Sequence, residues 1–218
     1  MTRPGYRPYT RAVPPRTQLR QDRALRSRAA LVDAAAELWR DRTVDEVKVA
    51  EICDAAQVSK GLFYFYFDSR EALAADLFAA DTDLVGDAVA EASDGRATFD
   101  DLLRTAVTTL GRRAQRRPRH VLGVAIPEWM RAGLATDDRG GLHTPLAGTF
   151  TTIVEVGRTR RRGSSQVRES VDAAEAGRLL ADAVVLAVHD WAVSDRRQPS
   201  LAKRMSNRVD LLVAGIAR

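Results

Sequence analysis

The side chains able to do covalent or metal chemistry are few in this chain and poorly spaced for it. His120, His143 and His189 lack the short intervals that ligate a metal, and no glycine-rich phosphate loop or nucleophile motif is present. His189 and Asp190 are neighbours, so on a helix they point in different directions and form no dyad. Cys53 is the one cysteine, which excludes an intramolecular disulfide, and its apolar setting favours a buried thiol over a redox switch. These features argue against an enzyme, and neither cofactor nor metal is expected. A different chemistry is concentrated in Ser59 to Phe67, SKGLFYFYF. Lys60 can reach guanine acceptors or a phosphate, Gly61 permits close backbone approach, and the hydroxyls of Tyr64 and Tyr66 can donate to phosphate oxygens. Those aromatics, with Phe63, Phe65 and Phe67, cannot all face inward. The bland alternative is a helical hairpin with a crowded aromatic core.

The elements that would position these residues are short helices. Val49, Ile52, Cys53 and Ala56 recur at three- and four-residue intervals and share one helical face. Ser59 can cap a second helix after a break of only a few residues, the layout of a helix-turn-helix, which places the start of its second helix in the major groove. Asp68 with Glu71 reads as a capping box opening the next helix. Ahead of the pair, a helix from about Arg23 to Arg40 carries Leu31, Ala34, Ala35, Leu38 and Trp39 as a buried stripe, and Asp45 can cap the first short helix. Lys48 lies near the start of that short helix, where a phosphate would also meet the helix dipole.

The order of these pieces resembles the TetR family of transcriptional regulators. Arg28 to Trp39, RAALVDAAAELW, is similar to the family's first helix, and Ile52, Ala56, Val58, Ser59, Lys60, Gly61, Tyr64, Tyr66 and Phe67 match its helix-turn-helix. Ser69, Arg70, Glu71, Ala72 and Leu73 match the family's next segment. Four positions depart from the pattern. Gln57 stands where the turn glycine is usual, at roughly 1–2 kcal/mol if the left-handed conformation is kept. Leu62 replaces a usual threonine and could still pack on a thymine methyl, and Val47 with Lys48 replaces a frequent hydroxyl pair. The resemblance implies an all-α fold, with an N-terminal three-helix DNA-binding domain over 21–68 and a helical ligand-binding and dimerisation domain over 69–218. Arg23, Arg28, Lys48, Ser59, Lys60, Gly61, Leu62, Tyr64, Phe65, Tyr66 and Arg70 are the expected DNA-binding residues, with Tyr64 and Arg70 on phosphates.

Bulk properties agree with a polyanionic partner. The 218 residues carry a formal net charge of +5, and thirteen basic against nine acidic residues lie in the first seventy. Met1 to Arg28 holds eight arginines, one acid and four of the eight prolines, so 1–20 is expected to be a disordered basic arm able to track phosphates or enter a minor groove. No apolar run of membrane-spanning length and no signal core is present, which favours a cytoplasmic protein.

Beyond Asp68 the pattern is of amphipathic helices. Helices are expected over Ser69 to Glu91, burying Leu84 among others, and over Phe99 to Arg116 with a solvated basic end at Arg112, Arg113, Arg116, Arg117 and Arg119. His120 to Leu134 is interrupted by Pro127, and a further helix runs to about Val156. Glu169 to Ser194 and a last helix after Pro199 are the most apolar. By resemblance these two pair with their copies in a homodimer through Leu180, Val184, Val188, Met205, Val209, Leu212 and Ile216. The middle helices would surround an apolar or aromatic effector near Glu128, Trp129, His143, Phe150 and Trp191. The expected function is a repressor on a palindromic operator, released by that small molecule. The rival is a helical protein–protein adaptor that has kept the fold and lost specific DNA binding.

Overall fold

Helix starts in this chain are set by short polar side chains that accept from otherwise orphaned backbone N–H groups. The computed structural model describes residues 16–135, 145–159, 166–195 and 199–217, with side chains described for all of these except 16–24, 134 and 135. Among the described residues nine helices run in order: α1 Arg16–Leu38, α2 Val49–Ala56, α3 Lys60–Tyr66, α4 Arg70–Ala92, α5 Phe99–Gln115, α6 Arg119–Ala135, α7 Pro145–Thr159, α8 Ala173–Val193 and α9 Leu201–Ile216. The architecture is all-α, as the periodicity and the resemblance both imply. Ser59 Oγ accepts from Leu62 N at 3.2 Å, and Asp172 Oδ1 accepts from Ala174 N at 2.9 Å and Glu175 N at 3.0 Å.

Two caps differ from expectation. Ser69, not Asp68, caps α4, its hydroxyl accepting from Ala72 N at 3.0 Å. Asp45 lies too early to cap α2. Lys48 is the capping residue there, and its backbone N–H donates to the Glu51 carboxylate at 2.8 Å. Helix α1 starts at Arg16, ahead of the expected Arg23, so 16–20 of the expected arm are helical; 1–15 lie outside the described residues. Pro127, expected to kink or start a helix, sits inside α6, which runs on through it. Leu84 is exposed on α4, because its neighbour Val85 takes the inward position.

A head of α1–α3 joins a body of α4–α9. Trp39, Val44, Val47, Ile52 and Phe63 fill the head, and one continuous apolar core runs from there to Met205 and Val209. Helix α4 spans the junction and packs on α5, α6 and α7, while α8 packs on α6, α7 and α9. At the α7–α8 crossing the two backbones nearly touch. A Cβ on Gly177 would stand 2.5 Å from Thr151 N and 2.7 Å from Thr151 Cα, so only glycine fits. The chain end is tied back by a bridge between Val167 and Ala217, with Arg168 N donating to Ile216 O at 3.0 Å.

Candidate nucleic-acid interface

Helix α3 divides its aromatic side chains between two faces. Phe63 and Phe67, four residues apart, are buried with ring centroids 5.9 Å from each other. Tyr64 is 56% exposed and Phe65 76% exposed, with Lys60 and Gly61 also at the surface and Leu62 and Tyr66 half-buried. Tyr66 stands edge-on to Phe65 at 5.0 Å. A Cβ on Gly61 would meet nothing nearer than Ser59 Oγ at 3.9 Å, so the backbone there is open to an approaching group. The helix therefore presents a cation, a phenol and a bare ring outward, held by two phenylalanines inward. A crowded aromatic core, the bland alternative, would have buried all five rings.

The turn before α3 is strained where the sequence departs from the family pattern. Gln57 adopts φ 55 and ψ 42, the one positive φ outside glycine among the described residues. Val58 N donates to Cys53 O at 3.0 Å, closing the end of α2 around it. Cys53 is buried, and burial pushes its thiol pKa up, which suits a packed hydrophobe.

Electrostatics around α2 are set by one carboxylate. Glu51 accepts from Arg42 Nη1 at 2.6 Å and from Lys48 N. These bonds, the Arg42 one foremost, hold its pKa down to about 2 from an ordinary 4.5. Lys48 itself is exposed beside the α2 start.

Two expected contact residues are engaged within the protein. Arg70 Nη1 donates to Asp45 O at 2.8 Å and Val47 O at 2.9 Å, bracing the start of α4 against the segment that leads into α2. Arg28 pairs with Asp76 and lies over the Phe67 ring at 5.5 Å. Burial raises the Asp76 carboxyl above its ordinary range, with the Arg28 charge working the other way. The Arg23 side chain falls outside the described residues, although its backbone is in α1.

Five of the seven expected self-contact residues need correction. Leu180, Val184, Val188, Met205 and Val209 are buried against the chain's own core, and Leu212 and Ile216 are half-buried against it. The five sealed side chains cannot also meet another chain, whereas Leu212 and Ile216 keep part of their surface outward. On α8 the apolar residues left outward are Leu179, Leu186 and Val193, spaced by seven, and on α9 Leu211 is 76% exposed.

The expected effector residues do not converge on one described cavity. Glu128 pairs with Arg131 on its own helix, Trp129 stands edge-on to Phe78 at 5.3 Å, Phe150 is core, and Trp191 lies beneath Arg119 at 4.9 Å. His143 lies outside the described residues. A groove of about 530 Å³ between α5 and α9 and a cleft of about 270 Å³ between α1 and the α5–α6 corner involve none of these side chains.

The expectation of a solvated basic end to α5 missed a buried cluster. Asp81, 1% exposed, takes Arg113 Nε at 2.8 Å and Arg117 Nε at 2.8 Å, pinning α5 to α4. An acid among the mostly apolar inward residues of α4 was the available signal.

An outward, capped aromatic helix on a three-helix head, carried by a helical body, defines a helix-turn-helix protein. Residues 31–77 match the sequence family described as bacterial regulatory proteins, tetR family. The A-factor receptor protein of Streptomyces griseus is 40% identical over 55 residues, covering 25% of this chain and 20% of that protein. The HTH-type transcriptional repressor KstR2 of Rhodococcus jostii is 35% identical over 83 residues, covering 36% and 41%. The chain thus matches between a fifth and two fifths of the length of these curated relatives. The structure of Thermus thermophilus FadR, a TetR-family transcriptional repressor in complex with lauroyl-CoA, is alike in fold at 24% identity, covering 88% of this chain and 95% of that one with a TM-score of 0.68. Over residues 31–77 the chain carries the sequence pattern of the tetR family of bacterial regulatory proteins, and most of its length shares the fold of the FadR structure.

Proposed function

We propose that this protein regulates transcription as a homodimer that binds a palindromic operator, represses, and is released by a small molecule. The observation that carries the reading is α3 itself: Lys60, Tyr64 and Phe65 face solvent together while Phe63 and Phe67 anchor the helix. Lys60 is suited to a guanine edge or a phosphate, Tyr64 to a phosphate, and Leu62 and Phe65 to apolar contact with thymine methyls. Lys48 at the start of α2 adds a second cation for the backbone.

A two-fold dimer would use the outward stripe of α8 and α9, Leu179, Leu186, Val193 and Leu211. It would then offer two copies of α3 to half-sites about one helical turn, 34–36 Å, apart. The effector is of apolar character, as is the acyl chain of the lauroyl-CoA held by the FadR structure. To release DNA it must bind the two head arrangements unequally.

Titrating a labelled operator duplex at several salt concentrations tests the DNA reading. Affinity should fall steeply with salt, and Lys60→Ala should weaken binding. Salt-independent binding, or none to any duplex, contradicts it. For the effector, lauroyl-CoA should raise the melting temperature above that seen with free coenzyme A; no difference contradicts an acyl-binding pocket.

A further inference from the structure

Two adjacent residues at the start of α6 reach in opposite directions to the ends of two other helices. Arg119 donates from Nη2 to Trp191 O and Ser194 O, where α8 ends, and its guanidinium covers the Trp191 ring. His120 Nε2 lies 3.1 Å from Trp39 O and 3.1 Å from Arg42 O, just past the end of α1. Both partners are carbonyl oxygens, which only accept, so Nε2 carries the proton in the assigned tautomer. A helix end gathers carbonyls that lack backbone donors, and His120 supplies the donor from another part of the fold.

The surroundings give this bridge its weight. Beside it opens the cleft of about 270 Å³ between α1 and the α5–α6 corner, lined by Glu37 and Arg40 on one wall and Arg116 and Pro118 on the other. Head and body are therefore not closely packed along that wall. The bridge holds together what side-chain packing there leaves apart. Thr43 N, which could have closed a turn onto Trp39 O, donates to the Glu46 carboxylate instead.

We infer that His120 is a positioning residue for the head: it sets the angle at which α1–α3 leave the body and, through Arg119, ties that angle to the end of α8. The inference rests on the DNA-binding reading, in which two heads must match a fixed half-site spacing. Without the bridge each head would still fold and still meet a single half-site, but the pair would no longer be held at one separation.

The test measures wild type and His120→Phe on duplexes carrying one half-site, and on duplexes carrying two half-sites at a series of spacings. Expected for His120→Phe is unchanged affinity for one half-site and a loss of about tenfold on the best two-site duplex, the scale of one net hydrogen bond, since a single N–H is shared between the two carbonyls. The preference among spacings should also broaden. His120→Gln, which keeps a donor, should recover most of the loss. A wild-type spacing profile in a folded His120→Phe overturns the inference, and so does an equal loss on one and two half-sites. If His120→Phe does not fold, Arg119→Gln frees the start of α6 from α8 without touching the head, and it should broaden the profile; an unchanged profile there overturns the inference. Wild type failing to bind any duplex would instead defeat the DNA reading, and this inference with it.

Discussion

Replacing Arg70 with alanine separates a scaffold role from a DNA contact. The guanidinium donates to Asp45 O and Val47 O at 2.8 and 2.9 Å and is 25% exposed, so it is neither free nor fully desolvated. A hydrogen bond to a charged group contributes about 1.5–3 kcal/mol when well shielded. Water can replace the lost donor at the more open Asp45 carbonyl, so the pair together is worth about 2 kcal/mol. For a chain of this length that lowers the melting temperature by about 4–8 °C. DNA affinity should fall with it, because the segment leading into α2 and α3 loosens. The slope of log affinity against log salt should stay the same, since no phosphate contact has been removed. A phosphate-bound arginine behaves oppositely: its loss reduces that slope by about 0.9 and leaves stability nearly intact. Calorimetry and a salt titration on one preparation decide between them. An unchanged melting temperature with a shallower slope would refute the scaffold role.

Three further outcomes are set by the geometry. Leu186→Glu should give a folded monomer by sedimentation because the side chain is outward on α8, whereas Leu180→Glu should unfold the protein because it places a charge in the core. Gly177→Ala should destabilise by about 1–3 kcal/mol despite the better helix propensity of alanine, since the new methyl meets Thr151 backbone at 2.5 Å; an unchanged thermal transition would contradict the tight crossing. Glu51 has its pKa lowered to about 2 from 4.5 by Arg42 and the Lys48 N–H, so its stabilising contribution is complete above pH 4.5 and is lost as pH falls toward 2. Glu51→Gln should flatten that part of the acid-stability curve, while a curve parallel to wild type over that window would contradict the assignment.

The head was legible because its determinants are local. Ser59 caps the helix beginning one residue later, and Phe63 and Phe67 share a face simply by being four apart. Gln57 could be placed in the left-handed turn only through the resemblance, which puts the family's usual turn glycine at that position. The body was legible as helices but not as faces. Helix α8 is apolar on more than one side, so spacing alone could not say that Leu180, Val184 and Val188 turn inward and Leu179, Leu186 and Val193 outward. Partners distant in sequence were hidden for the same reason. Asp81 finds its arginines 32 and 36 residues away, and Arg70 finds backbone carbonyls 23 and 25 residues back, which no periodicity encodes. The bridge from His120 to the end of α1 joins residues 81 and 78 apart, and nothing near His120 in the sequence marks it.

Selection of binding sequences from a pool of random duplex DNA tests the central claim most directly. The account predicts enrichment of an inverted repeat with half-sites about one helical turn apart, and loss of that enrichment in Lys60→Ala or Leu186→Glu. Recovery of no common sequence, or of a single unrepeated half-site by the wild-type protein, would contradict it.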